Sequence, residues 1–274
     1  MKKSSNNKKR RILRPWKEIP VWRKVLRTVW ISLLSLWFFT ILQVLLGIFF
    51  NPPLTPLMVQ RYFQQLTDSE RKVVFERDYV SLDEISPNLI TAVIYAEDGL
   101  FLYHHGFDVQ QMKQAHRENK SGRRFRGGST ISQQTAKNAF LPHSRTMLRK
   151  AAEAYYTLLI EKLWGKRRIM EVYLNIVEFG DGIYGAEAAS QHYFGHSAKT
   201  LSRHEAAQLA ASLPSPLKRN PAHQTPRYRR YVETIKGRFS RGRINIDKPS
   251  KKLQRKYRNQ EDLWDFIEWY RKQK

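Results

Sequence analysis

Two adjacent carboxylates, Glu97 and Asp98, follow the apolar run 89–95 and are themselves followed by His104 and His105. A carboxylate at the end of a buried helix can be desolvated and then accept a proton near neutral pH. The alternatives are a solvated helix end for the carboxylates, and a metal pair or plain surface residues for the histidines. The pattern therefore makes Glu97 a candidate base and leaves its role open.

A glycine-rich segment precedes the next predicted helix. Residues 127–130 are Gly-Gly-Ser-Thr and lead into Ile-Ser-Gln-Gln at 131–134. Glycines allow a ligand to approach the backbone closely, and the free N–H groups at a helix N-terminus favour a diphosphate. A glycine-rich loop is by itself more often a simple turn.

A basic stripe lies on the following predicted helix. Arg145, Arg149 and Glu153 recur every four residues, which places them on one helical face with Lys150 beside them. Taken alone, such a face is most simply an exposed row of ion pairs, each worth about 0.3 to 0.5 kcal/mol.

Together, these segments resemble the signature motifs of the peptidoglycan glycosyltransferase family, in the family's order. The five segments are EDxxFxxHxG at 97–106, GGSTISQQ at 127–134, RKxxE at 149–153, IMEVYLN at 169–175 with Gly180, Gly185, Ala188 and Tyr193-Phe194 after it, and EAAQLA at 205–210 with Pro214 and Pro216. The resemblance covers roughly residues 52–221 and is closest to the monofunctional subgroup, in which a transmembrane anchor is joined directly to the catalytic domain. One position departs from the motifs: Ser132 stands where the family usually has threonine, and it keeps the hydroxyl.

The resemblance implies a mainly α, lysozyme-like domain with a large lobe, a smaller lobe near the membrane and a cleft between them. It also implies that lipid II is polymerised into β-1,4-linked glycan strands for cell wall biosynthesis. In this reaction the growing lipid-diphosphate-linked chain is transferred to the 4-hydroxyl of the acceptor N-acetylglucosamine, with inversion and release of undecaprenyl diphosphate. The implied partners are lipid II, the nascent glycan strand, membrane lipids and other cell-wall synthesis or division proteins, but no nucleic acid.

Residue by residue, Glu97 matches the family's general base and Glu153 its second essential glutamate. Glu153 could orient the cations, assist the donor site or help to hold a divalent cation such as Mg2+ or Mn2+. No organic cofactor is implied. The residues predicted to contact substrate are Asp98, Phe101, His104, Gly128, Ser129, Thr130, Gln133, Gln134, Lys137, Arg145, Arg149, Lys150, Asn175 and Glu178. Asn175 and Glu178 share a predicted helical face with Glu171.

An uncharged run of 23 residues, 28–50, is long enough to cross a membrane, since as a helix it rises roughly 34 Å against a hydrocarbon core of about 30 Å. Residues 1–27 hold eleven Lys and Arg against the single acid Glu18, which predicts a cytoplasmic N-terminus and an extracytoplasmic catalytic domain at the inner membrane. A buried core helix and a cleaved signal peptide are the alternatives, but the run is too long and too uniformly apolar for either.

Apolar spacing is helical along most of the remaining chain. It predicts helices over 89–97, 133–139, 147–163, 168–177, 183–193 and 202–213, with capping boxes at 67–70, 81–84 and 202–205. Long alternating β-branched runs are missing, so the domain is predicted to be mainly α. The expected division is a basic tail (1–27), the membrane span (28–50), the glycosyltransferase domain (51–236) and a basic C-terminal extension (237–274) with a candidate amphipathic helix.

The net charge of +25 is concentrated at the two ends of the chain, and no nucleic-acid motif accompanies it. Anionic lipid is therefore the expected partner of both ends. The C-terminal extension contains a predicted aromatic helix, 263–270. This helix is expected to lie on the outer leaflet or to bind a membrane partner. The alternative is that it packs on the catalytic domain. The absence of cysteine excludes disulfides and a thiol nucleophile.

Three rival functions fit the sequence less well. A muramidase would have no use for the basic helix face. A non-enzymatic basic anchor would leave the ordered motifs unexplained. A wall synthase with an added transpeptidase would need far more than the 56 residues that follow Lys218, although Ser215 to Lys218 fits Ser-x-x-Lys, and its Lys-Thr-Gly motif does not occur.

Overall fold

The computed structural model describes residues 20–122, 127–142, 144, 146–258 and 261–272. Its first helix, α1 (Val21–Phe49), has a mean hydropathy of 2.2 over its most apolar window and is long and apolar enough, by length and composition, to cross a membrane. It begins before the predicted span at Thr28, because the backbone hydrogen bonds continue through Arg23, Lys24 and Arg27.

The second helix, α2 (Pro56–Thr67), starts at a Thr55 cap with proline in the first turn. A new helix predicted from the capping pattern at 67–70 is wrong. The Thr67 hydroxyl donates back to Phe63 O at 3.0 Å and so belongs to the end of α2, while Asp68 accepts from Glu70 N in a turn.

The part of the chain after α1 is mainly helical and carries one small sheet. Its further elements are β1 (Glu76–Arg77), α3 (Pro87–Glu97), α4 (Val109–Lys120), α5 (Ile131–Phe140), α6 (Met147–Leu163), α7 (Gly165–Ile176), β2 (Glu178–Gly180), β3 (Ile183–Tyr184), α8 (Ala186–Phe194), α9 (Arg203–Ser212), α10 (Pro226–Arg238), α11 (Lys251–Lys256) and α12 (Leu263–Arg271). The capping box at 81–84 opens a short 3-10 helix (Leu82–Glu84), and the one at 202–205 opens α9.

The helix predicted over 183–193 is partly wrong, because Ile183 and Tyr184 form strand β3 before α8 begins. Gly185 separates the two elements with a φ of 88°, and a Cβ there would lie 2.9 Å from Asn175 O. A glycine is therefore required at this switch. Strand β3 is central in the sheet, parallel to β1 and antiparallel to β2.

Two groups of packed helices hold the domain together. Helix α3 packs on α9, which packs on α10, while α5 packs on α6 and α7. Helices α4 and α10 have no counterpart among the predicted elements. Helix α4 buries only Val109 and Ala115, and Met112 is its one other apolar residue, so its sequence has too few apolar residues to predict a helix.

The predicted C-terminal helix is present as α12. Of the two positions predicted for it, the structure has the one packed on the catalytic domain. Helix α12 packs on α4, with the rings of Trp269 and Tyr270 edge-on to His116 at 5.5 and 5.2 Å between ring centroids. Part of its aromatic face thus contacts the domain.

Candidate active site

Glu97 is the last residue of α3, a helix that begins at the Ser86 cap and Pro87 and continues through a buried apolar run. Its side chain is half-buried. Desolvation raises the pKa of the Glu97 carboxyl above its ordinary value, and the charge of Asp98 adds to the rise. A hydrogen bond from Gln134 and the charge of Lys137 oppose it. A carboxylate with a raised pKa suits proton transfer near neutral pH.

Gln134 on α5 orients the Glu97 carboxylate. Its amide nitrogen donates to Glu97 Oε2 at 2.8 Å, and its amide oxygen accepts from the Tyr173 hydroxyl at 3.2 Å. Burial raises the pKa of Tyr173 well above its ordinary value, so this hydroxyl keeps its proton. The donated proton fixes which end of the amide faces Glu97.

The backbone after Glu97 is fixed by Asp98, whose side chain is 1 % exposed. One carboxylate oxygen accepts from Ile131 N at 3.0 Å, and His104 Nε2 lies 2.9 Å from the same oxygen. Because Gly106 N donates to His104 Nδ1, the histidine carries its proton on Nε2 and donates to Asp98.

A second bond ties the first two motifs together: the Thr130 hydroxyl donates to Gly106 O at 2.6 Å. Thr130 also caps α5, in a capping box with Gln133. These contacts show that Asp98, His104, Thr130 and Gln133 hold the site together; their contact with substrate stays a prediction.

The backbone before Glu97 is held from helix α10. The Tyr231 hydroxyl donates to Ala96 O at 3.2 Å, and the Arg238 guanidinium donates to Tyr95 O. Both carbonyls lie in the last turn of α3, where helical carbonyls lack intrahelical partners and a positive charge is favourable.

Beside the base lies a cavity of about 220 Å³ that is rich in cations. It is lined by Ser129, Gln133, Gln134, Lys137, Ser144, Arg149, Lys150 and Glu153. Gln134 thus lines this cavity and also donates a hydrogen bond to the candidate base Glu97.

Glu153 is buried under two of the cavity's cations. Arg149 and Lys150 each contact one of its carboxylate oxygens at 2.5 Å, and Lys150 also donates to Ser129 Oγ at 3.3 Å. The Arg149 Nε atom is buried without a hydrogen-bond partner among the described residues. Arg149, Lys150 and Glu153 therefore line a cavity and leave the Arg149 Nε donor unused, unlike an exposed row of ion pairs.

Lys137 lies on α5, half-buried between the base and this pair. Burial lowers the pKa of Lys137, the Glu153 and Glu97 carboxylates oppose that effect, and Arg149 and Lys150 add to it. Excess positive charge in a partly dehydrated cavity favours an anionic ligand.

A divalent cation held by the protein does not fit these donors. The Glu153 carboxylate already contacts two cationic side chains, and no group of three His, Asp or Glu among the described residues is arranged as metal ligands would be. Metal dependence stays a prediction.

Two further predicted residues, Phe101 and Gly128, lie outside the cavity. Phe101 is buried, with Lys166 Nζ 4.7 Å from its ring centroid. Gly128 packs on α4, and Arg145 lies outside the described residues. Their contact with substrate stays a prediction.

Asn175 and Glu178, which the motifs predicted to bind substrate, bond to the segment between α1 and α3. Asn175 exchanges two hydrogen bonds with the Val80 backbone, and both carboxylate oxygens of Glu178 accept from the Arg61 guanidinium, at 2.8 and 2.9 Å. The contacts seen are structural.

Several residues that complete the site were missed by sequence reasoning. Tyr173 lies inside the fourth motif without having been assigned a role, and Tyr231 and Arg238 lie beyond the motifs. Glu161 and Lys166 form an ion pair at 2.6 Å, and Glu161 also accepts a hydrogen bond from Ser132 in the second motif. No local spacing links these residues to Glu97.

Comparison with known proteins agrees with this geometry. The family model described as Transglycosylase matches residues 63–240. The chain therefore belongs to the transglycosylase family, and the mainly α, lysozyme-like fold and the family resemblance predicted from the motifs are confirmed.

Three similar relatives are each named biosynthetic peptidoglycan transglycosylase. The protein from Caulobacter vibrioides is 50% identical over 197 residues, which are 72% of this chain and 83% of the relative. That from Shewanella oneidensis is 50% identical over 184 residues (67% and 77%), and that from Haemophilus influenzae 48% over 190 residues (69% and 77%).

Proposed function

We propose that this protein polymerises lipid II into β-1,4-linked glycan strands of peptidoglycan. The observation that carries the proposal is Gln134, which bonds to the base Glu97 and lines the cationic cavity. One residue thus connects a proton acceptor to a site for an anionic leaving group. The names of the three relatives also support a peptidoglycan substrate.

In this reaction Glu97 accepts the proton from the 4-hydroxyl of the acceptor N-acetylglucosamine as that oxygen attacks C1 of the donor N-acetylmuramic acid. The new C1–O4 bond forms while the bond from C1 to the lipid diphosphate breaks, and the electron pair leaves with the diphosphate. Attack opposite the leaving group inverts C1 and gives the β-linkage.

The cavity cations act on the leaving group. Lys137, Arg149 and Lys150 line the cavity, and in this proposal they neutralise the charge that develops on the departing undecaprenyl diphosphate. Glu153 holds Arg149 and Lys150 in place from beneath. A hydrolase acting on neutral glycan would gain nothing from this charge, so a synthase is favoured over a muramidase.

The lipid part of the substrate requires access from a membrane. The first turn of α6 presents Met147 and Leu148, 86% and 81% exposed, directly before Arg149 and Lys150. Apolar side chains next to phosphate-binding cations suit a polyprenyl diphosphate. We propose that α1 anchors the protein in the inner membrane by a single span, with the N-terminus cytoplasmic and the catalytic domain outside. Protein partners stay a prediction.

Incubation of the purified full-length protein with labelled lipid II tests the reaction. The expected product is a polymer that muramidase digests to disaccharide units. Glu97→Gln is expected to lower the rate by about 10² or more, because the amide keeps the shape and loses the basicity. Glu233→Gln, an exposed change on α10, is the matched control and is expected to keep full activity. No polymer from the unmodified protein, or more than about a tenth of the rate with Glu97→Gln, would contradict the proposal.

A further inference from the structure

The chain continues past the transglycosylase match, which ends at residue 240. Residues 241–258 and 261–272, here called the C-terminal strap, contact the catalytic domain at several points along the chain. Near the start of the strap, the Tyr95 hydroxyl donates to Gly242 O at 2.9 Å and Ile244 N donates to Thr91 Oγ1 at 3.2 Å. Both contacts are to α3, the helix that ends in Glu97.

The middle of the strap reaches α7 and the first-motif loop. Asp247 pairs with Arg167 at 2.9 Å, and Ser250 N donates to the Tyr103 hydroxyl at 3.3 Å. The ring of Tyr257 lies 6.0 Å from that of Tyr103, which is the residue before His104. The strap therefore contacts the loop whose His104 fixes Asp98.

The end of the strap, α12, covers one face of α4. Glu261 pairs with Lys113 at 2.7 Å, and His116 contacts the rings of both Trp269 and Tyr270. The cations of Lys113 and Arg117 lie 5.7 and 5.6 Å from the Trp269 ring centroid. Trp269 is thus the centre of this contact, through aromatic and cation–π interactions.

A different face of α4 supports the substrate cavity. A Cβ placed on Gly128 would lie 3.2 Å from Ala115 Cβ and 3.5 Å from Met112 Cα, so the Gly128 backbone lies directly against α4. The next residue is Ser129, which lines the cavity and accepts from Lys150. A displacement of α4 would therefore displace Ser129.

Helix α4 has little packing of its own to prevent such a displacement. Only Val109 and Ala115 of its twelve residues are buried, and a helix with few buried apolar contacts opens at low free energy. The contacts of α12 compensate for this weakness.

We propose that the C-terminal strap positions the donor site: α12, through Trp269, holds α4 in place, and α4 holds Gly128 and Ser129 at the cationic cavity. Trp269 is then a positioning residue for the transfer reaction, and the strap is part of the catalytic unit. The inference rests on the proposed function where polymerisation of lipid II is measured, but not where hydrogen exchange of α4 is measured.

Two tryptophans of α12 provide a matched pair for the test. Trp269→Ala removes the ring that contacts Lys113, His116 and Arg117 of α4, while Trp264→Ala removes a side chain that is 71% exposed. In the full-length protein, we expect Trp269→Ala to raise the KM for lipid II and lower kcat, together reducing kcat/KM about tenfold. Trp264→Ala is expected to match the unmodified protein.

Hydrogen exchange of the α4 amides gives a readout that does not depend on activity. Trp269→Ala is expected to accelerate exchange over 109–120 at least about tenfold, with exchange in α7 unchanged, and Trp264→Ala to leave both unchanged. The charge swap Lys113→Glu with Glu261→Lys is expected to restore part of the protection that either single change lowers, because the ion pair returns while the cation above the Trp269 ring does not.

The outcomes separate the two proposals. Unchanged exchange in α4 and unchanged kcat/KM with Trp269→Ala, or equal effects of the two tryptophan changes, would overturn the positioning role. If exchange responds but the unmodified protein forms no polymer from lipid II, the proposed function fails and the support of α4 by the strap stands.

Discussion

Opposing contacts set the protonation of Glu97. Burial raises its pKa, whereas the Gln134 hydrogen bond and the Lys137 charge lower it. The base acts only when ionised, so the rate falls as the pH decreases through the pKa of Glu97. The acid limb of the rate profile should therefore lie above the ordinary glutamate value of 4.5.

We predict that Gln134→Leu moves this acid limb to still higher pH. The change removes a hydrogen bond that favours the ionised carboxylate, and leucine adds apolar surface. Tyr173→Phe should move the limb in the same direction by less, because the amide remains but is free to turn. Profiles of kcat/KM against pH measure both, and an acid limb that moves down or stays in place with Gln134→Leu would contradict this account.

The raised pKa of Glu97 also has a consequence for stability. The folded state binds the proton more tightly than the unfolded chain, so stability decreases as the pH rises through the pKa of the folded state. Glu97→Gln removes this loss at neutral pH. We predict a Tm at pH 7 equal to or above that of the unmodified protein, alongside lost polymerisation. A lower Tm for the variant at pH 7 would indicate that the carboxylate stabilises the fold.

Lys137 is expected to govern the alkaline side of the profile. Burial lowers its pKa from the ordinary value of 10.5, so its charge is lost as the pH rises through that lowered pKa. Lys137→Arg should extend activity to higher pH, since a guanidinium stays charged, at a reduced maximal rate from altered geometry. Lys162→Arg, an exposed change on α6, is the control. An unchanged alkaline limb in Lys137→Arg would assign that limb to another group.

At the scale of elements, the fourth motif illustrates what sequence could and could not predict. Glu171, Asn175 and Glu178 were predicted to share a helical face. This is confirmed for Glu171 and Asn175 on α7 but wrong for Glu178, because α7 ends at Ile176 and Glu178 begins strand β2. Glu171 accepts from Leu82 N, Asn175 binds Val80 and Glu178 binds Arg61. The face shared by Glu171 and Asn175 follows from the 3.6-residue period. The hydrogen-bond partners of these residues could not be predicted, because they lie 89 to 117 residues away along the chain and no local sequence pattern indicates them.

The lack of a local sequence pattern also explains why some helices were missed or misplaced by the sequence analysis. Helix α4 has too few apolar residues to show a period, and the position of α12 depended on a partner that was itself unpredicted. The ordered motifs did identify the base and the cation cluster, since spacing within 97–106 and 149–153 brings those residues together locally. Tyr231 and Arg238 required the fold.

We predict that the ion pair between Arg61 and Glu178 is a main support of α2. Glu178 is 5% exposed, so Arg61→Ala leaves a buried carboxylate unpaired and should cost about 3 kcal/mol of unfolding free energy. Arg71→Ala, which breaks the more exposed pair with Asp181, should cost below about 1 kcal/mol. Urea unfolding of the domain measures both, and equal costs would mean that burial does not distinguish the two pairs.

For the whole molecule, the distribution of charge matters more than its sum of +25. The basic residues flank the part of the chain that carries the chemistry. At the N-terminus they precede the apolar helix α1, and at the C-terminus they lie in the strap, where α11 presents exposed basic side chains while the aromatic face of α12 contacts α4. Membrane attachment is therefore expected to depend on α1.

The orientation of α1 is the last prediction. Residues 1–27 hold eleven Lys and Arg against one acid, and such a flank stays in the cytoplasm. Because the chain has no cysteine, single-cysteine variants report position without background labelling. Lys72→Cys, at an exposed site after α1, should react with a membrane-impermeant maleimide in intact spheroplasts, whereas Ser5→Cys should react only after permeabilisation. The opposite pattern would place the catalytic domain in the cytoplasm, where it could not polymerise a substrate presented on the outer face of the membrane.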